Sequence, residues 1–129
     1  MNYEEKTMKN TITIRENKLR ANGSFEIVFD EEIYQIIDME EIVVVLTMPQ
    51  DDYMTENRIY GVVNGKIAWR VQDMLEFNPD YAPFMPNSYI YIEIYEKNPE
   101  LIIATSGRGF RFLINPNNGK IVGTESWVK

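Results

Sequence analysis

Val43-Val44-Val45-Leu46-Thr47 leads through a polar connector into Ile59-Tyr60-Gly61-Val62-Val63-Asn64-Gly65-Lys66-Ile67-Ala68-Trp69. The same pattern returns as Leu101-Ile102-Ile103-Ala104-Thr105 followed by Phe110-Arg111-Phe112-Leu113-Ile114-Asn115-Pro116-Asn117-Asn118-Gly119-Lys120-Ile121. Each copy reads as an apolar strand, a connector, a second strand, an Asn/Gly turn and a third strand, with a tryptophan following at Trp69 or Trp127. A repeated supersecondary unit decides architecture because each copy needs its neighbour to cover its apolar face. The expected fold is all-β, an antiparallel meander of two repeats in one small domain.

Working outward, Thr11-Ile12-Thr13-Ile14-Arg15 alternates with period two, and Asn22-Gly23 marks a turn before Phe25-Glu26-Ile27-Val28-Phe29. An N-terminal hairpin over 11–30 is expected, preceded by a loosely ordered 1–10. Between Asp30 and Glu41 two readings stay open. Asp30 could cap a helix, with Ile33, Ile36 and Ile37 at helical spacing; Tyr34 and the β-branched residues favour a strand. The first repeat then runs over 33–71 and the second over 88–129. The linking 72–87 carries Pro79, Pro83 and Pro86 and room for one helical turn near Asp73 to Phe77. All of 1–129 is read as a single domain.

The Asn64-Gly65-Lys66 and Asn118-Gly119-Lys120 turns, with Ile59-Tyr60 before the first, Phe112-Leu113-Ile114-Asn115 before the second and Trp69 closing the first, resemble the blade repeat of PQQ-like, quinoprotein-type β-propellers. The resemblance covers about half the chain and implies propeller-blade-like meanders. A closed ring needs blades of roughly 40 to 50 residues each, so two repeats would close as a sandwich or partial propeller, or be completed by oligomerisation. A homo-oligomer is one expected partner arrangement. Trp127 lies further beyond Gly119 than Trp69 does beyond Gly65, which puts their equivalence in doubt. The quinone site of such propellers needs a full ring and residues that have no match in this chain, and no cofactor is expected.

Composition narrows function further. The chain has no cysteine and no histidine, which removes thiolate nucleophiles, Ser-His-Asp triads, His-ligated metals and any side chain whose ordinary pKa lies near neutrality. No enzyme is expected. The acidic opening and the lack of an apolar run of about 18 residues lead to the expectation of a soluble, cytoplasmic, bacterial-type protein with no membrane partner.

Charge is strongly localised. From Ala21 to Asn57 there is no lysine or arginine, while Glu26, Asp30, Glu31, Glu32, Asp38, Glu40, Glu41, Asp51, Asp52 and Glu56 supply ten acids. The first twenty residues hold three acids and five bases, and residues 58–129 hold seven acids and eight bases. One block therefore produces the net charge of −7. That field repels nucleic acid and attracts a basic protein.

Two candidate sites follow. The connector residues Asp51, Asp52, Tyr53 and Glu56 are expected to bind a basic partner protein, as acidic immunity-type proteins neutralise basic toxin domains; connectors that vary while the scaffold repeats are where binding tends to be placed. Alternatively, Tyr89, Tyr91, Glu93 and Tyr95 share one face of a strictly alternating strand and could stack a saccharide or other small molecule. The acids Asp51, Asp52 and Glu56 do not match a calcium-loop spacing, and no metal is expected. Ser106-Gly107-Arg108-Gly109 precedes a strand rather than a helix and reads as a hairpin connector, not an anion loop.

Overall fold

The computed structural model describes residues 11–23, 26–48 and 58–126. The loosely ordered 1–10 of the expectation, and Phe25, Trp127 and the connector residues Asp51, Asp52, Tyr53 and Glu56, lie outside them. Within them the chain is all-β, in three antiparallel sheets. Strands β1 (Ile12–Arg15), β2 (Lys18–Ala21) and β3 (Ile27–Val28) form the first sheet. The first repeat becomes a four-stranded meander of β4 (Glu32–Asp38), β5 (Val43–Met48), β6 (Ile59–Val63) and β7 (Lys66–Arg70). The second becomes another, of β8 (Tyr89–Ile94), β9 (Ile102–Ser106), β10 (Arg111–Ile114) and β11 (Ile121–Glu125).

The sheets stack as layers with the first meander in the middle. Val44, Leu46, Ile59 and Trp69 pack towards Tyr89, Ile92, Ile102, Phe112 and Ile114 of the second meander. Val43, Val45, Tyr60 and Val62 pack the other way, against Leu19, Ala21, Ile27 and Phe29. This accounts for the unbroken run Val43-Val44-Val45-Leu46, since a strand covered on both faces has no polar side to show.

Two bulges explain where sequence periodicity misleads. The β4–β5 register slips between Ile33 and Gln35, so Ile33 and Ile36 face the first sheet while Ile37 faces the second meander. The bulge alone produces the i, i+3 spacing that mimicked a helix; 31–41 holds a strand. In β8 the register slips between Tyr89 and Tyr91. Tyr89 and Ile92 therefore both point into the core, at 0% and 1% exposure, while Ile90 and Tyr91 are exposed. The expectation that the tyrosines of β8 share one face is corrected by that extra residue.

The N-terminal segment also differs from the expected hairpin. Ile12–Arg15 pairs with Lys18–Ala21 rather than with the strand beyond Asn22-Gly23. A tight turn at Glu16-Asn17, with Glu16 at φ 57, makes this possible, and Leu19 and Ala21 bury alternate positions. Linking the meanders, Asp73 caps a single helical turn, α1 (Met74–Phe77), by accepting from the Leu75 amide at 2.9 Å, and a 3₁₀ segment follows over Pro79–Phe84.

Trp69 fastens one meander to the other. Its Nε1 donates to the Pro116 carbonyl at 2.8 Å, and its ring lies so close to Gly61 and Gly119 that a methyl group on either would overlap the indole. Gly119 also sits at φ +78, which favours glycine independently. In the second repeat the position four after Gly119 is Gly123 rather than tryptophan, and its open side meets Leu113.

Candidate functional site

The β4–β5 ladder divides the acidic block in space. Glu32 pairs with Met48 and Asp38 with Val43, so Asp30, Glu31 and Glu32 lie at the end where the chain departs into 49–57. Asp38, Glu40 and Glu41 lie at the other end. Six strand steps of about 3.3 Å put roughly 20 Å between the two groups.

The first end is built around a buried cation. Arg58, the first described residue after the connector, is 1% exposed. Its Nη2 donates to the Tyr89 carbonyl at 3.2 Å and its Nη1 lies 3.6 Å from the Met48 sulfur. The Thr47 hydroxyl donates to Glu31 at 3.2 Å, and the Thr47 amide closes the ladder on the Arg58 carbonyl at 3.0 Å. Burial pulls the Arg58 guanidinium below its ordinary value, opposed by the charge of Glu31 and then by Tyr60. Among the described residues, Arg58 Nε and both polar atoms of the Asn87 amide are buried without a hydrogen-bond partner. The opposite end carries an open cleft of about 520 Å³ with Val43 and Val62 in its floor and Asn22, Glu40, Glu41 and Asn64 around it.

The predicted tyrosine site is redistributed. Tyr89 is in the core, its ring 5.9 Å from that of Phe112. Tyr91 and Glu93 are exposed. Tyr95 reaches instead to Glu125 on β11, where Lys97 Nζ also donates at 2.8 Å. Glu125 is held below the usual carboxylate range, first by the Lys97 hydrogen bond and then by that of Tyr95. Lys97 is raised in return, chiefly by the same bond. The Tyr95 hydroxyl is raised by desolvation, then by Glu125.

Beside this group lies a cleft of about 300 Å³. Tyr81 and Phe110 form its wall, their centroids 5.2 Å apart at 81°; Arg111, Thr124, Glu125 and Ser126 supply its polar lining. Sequence reasoning did not reach these residues. Tyr81 belongs to the linker and meets Phe110 only through packing, while the β10–β11 register pairs Arg111 with Glu125 across the strands. The Ser106–Gly109 segment is the expected hairpin connector: the Gly109 amide donates to the Ser106 carbonyl at 2.9 Å.

Among the described residues no group of three or more His, Cys, Asp or Glu is arranged to hold a metal, and no helix is long and apolar enough to cross a membrane. Fold and sites together define a small domain of two sequential four-stranded meanders with a third, N-terminal sheet laid against one of them. The chain belongs to the family described as Domain of unknown function (DUF7957), whose model matches residues 8–126. No curated protein and no solved structure matches it.

Proposed function

We propose that the chain is a non-catalytic protein-interaction module of the cytoplasm whose acidic connector end captures a basic protein, the role an immunity-type protein plays towards a basic toxin domain. The observation that carries this reading is the placement of Asp30, Glu31 and Glu32 at the base of the connector bearing Asp51, Asp52 and Glu56, while the adjoining base, Arg58, is buried. Acids thus gather at the root of the connector, where Arg58 is turned inward and the exposed Arg70 lies over the Tyr60 ring at 5.3 Å. Clustered charge of one sign steers a complementary partner and raises its association rate. The propeller-blade reading of the two meanders belongs to the same proposal. It is supported by their sequential strand order and by Trp69 seating on the Asn118-Gly119-Lys120 turn.

The test is charge reversal of Asp51, Asp52 and Glu56 to lysine. Capture of a basic partner from lysate should be lost in the reversed variant and should fall with salt in the parent, while the melting temperature stays nearly constant, since surface substitutions usually change stability by less than about 0.5 kcal/mol. Partners indifferent to both the reversals and the salt would sink the proposal.

A further inference from the structure

We propose that Asn64 is a site of spontaneous deamidation, and that the fold protects the chain's two other Asn-Gly pairs from the same reaction. The pairs are Asn22-Gly23, Asn64-Gly65 and Asn118-Gly119, and in each the glycine has no side chain to hinder ring closure. At Asn64 the Gly65 nitrogen, its proton lost to solvent base, forms a bond to the side-chain Cγ. The Cγ–Nδ2 bond breaks, and ammonia leaves with a proton taken from water. Water then opens the succinimide ring at either carbonyl, giving aspartate where the new bond is cleaved and isoaspartate where the original peptide bond is. One amide and one water become one carboxylate and one ammonium ion, with no further reactant.

The structure separates the three pairs. Asn118 Oδ1 accepts from the Lys120 amide at 2.9 Å, and the nitrogen that would attack is itself engaged, the Gly119 amide donating to the Asn115 carbonyl at 2.8 Å against the Trp69 ring. Asn22 Oδ1 accepts from the Thr11 amide at 2.9 Å, and the Asn22 amide donates back to the Thr11 carbonyl at 2.7 Å. Asn64 lacks both kinds of restraint. It is exposed at the tip of the β6–β7 hairpin, where Val63 pairs with Lys66, and among the described residues no hydrogen bond holds its side chain or the Gly65 N–H. Asn64 at φ 53 and Gly65 at φ 76 form the left-handed turn that this dipeptide favours. Ring closure requires the pair to leave that turn, and an unrestrained tip opens at far lower free energy than a residue tied into the core.

The product changes its surroundings in two ways. Either isomer adds a carboxylate to the open cleft that Glu40 and Glu41 also line, extending a region of one charge sign. Isoaspartate also adds a main-chain carbon inside a two-residue turn, disturbing the hairpin register that carries Trp69. The experiment is to hold the full chain folded at mildly alkaline pH and follow each Asn-Gly peptide by mass spectrometry after digestion. Asn64 should exchange its amide nitrogen for oxygen about ten times faster than Asn22 or Asn118, roughly what one restraining hydrogen bond withholds. In denaturant the three should react at closely similar rates. Asn64→Gln, whose longer side chain closes the ring slowly, should remove most ammonia release from the folded chain. Equal rates in the folded chain overturn the proposal, as does reaction first at Asn22 or Asn118, an Asn64 that reacts only in denaturant, or ammonia release undiminished in Asn64→Gln.

Discussion

Gly61 and Gly119 leave between them a slot that only an indole without competing side chains can occupy, and Trp69 is 9% exposed there. A methyl group at Gly61 must displace the ring, and overpacking of this kind costs about 1–3 kcal/mol. Trp69→Ala removes the ring and its bond to Pro116, at a cost of about 3–5 kcal/mol. The two changes should therefore be strongly non-additive: in the Trp69→Ala background, Gly61→Ala should cost well under 1 kcal/mol, because the three atoms nearest to that methyl all belong to the indole. Denaturant titration of the four proteins measures the coupling, and additive values would show that the slot does not exist. At the other side of the second meander, Glu125 sits below its ordinary pKa. Its contribution to stability is thus present above the ordinary carboxylate range and lost as pH falls through the lowered folded value. A carbon-detected titration should find Glu125 below a reference glutamate, and Lys97→Met should move it upward. The Lys97 pair is solvent-exposed, so its effect on overall stability is small.

At the scale of elements, β4 and β8 are both edge strands, and one side chain joins them. Gln35 Nε2 donates to the Ile92 carbonyl at 3.1 Å, and Gln35 Oε1 accepts from the Ile92 amide at 2.7 Å. The amide of Gln35 thereby does for the β8 edge what a neighbouring peptide group would do, occupying a backbone position from which edge-to-edge association could start. Exposed Ile90 and Ile94 flank that position. Gln35→Ala should speed hydrogen exchange at Ile92 and produce concentration-dependent self-association in sedimentation; an unchanged exchange rate would disprove the latch. The bulge that brings Gln35 into place also set the limit of what could be read beforehand. The strands of both repeats were legible because Val43–Leu46 and Leu101–Thr105 are covered regardless of exact register. The faces of β4 and β8 were not, because one extra residue inverts every assignment beyond it. The pairing of Lys18–Ala21 was hidden for a related reason: Glu16-Asn17 lacks the glycine that usually announces a tight turn. The cleft beside Glu125 had no local signal at all, since Tyr81 and Glu125 come to border one cleft only through tertiary packing.

For the molecule as a whole, the layered stack covers both faces of β5 and β6, while the edge strand β7 keeps Lys66, Ile67, Ala68 and Arg70 exposed, so what the first repeat presents to a partner comes from its edges and its ends. Those ends are roughly 20 Å apart, more than two screening lengths of about 8 Å at physiological ionic strength. Asp38, Glu40 and Glu41 consequently add little to the field at the connector end. The steering proposed for that end rests on Asp30 to Glu32 and the connector acids alone. The closure of the β5–β6 ladder at Thr47 and Arg58 carries a consequence for how this family can diversify. Because the last rung and the Arg58 side chain are fixed from within the stack, the sheet is indifferent to the number of residues strung between Met48 and Arg58. Doubling that span would cost only about 0.6 kcal/mol of closure entropy. The connector is therefore a place where length and sequence can be exchanged almost without reference to the fold, a ready graft point for a new recognition segment.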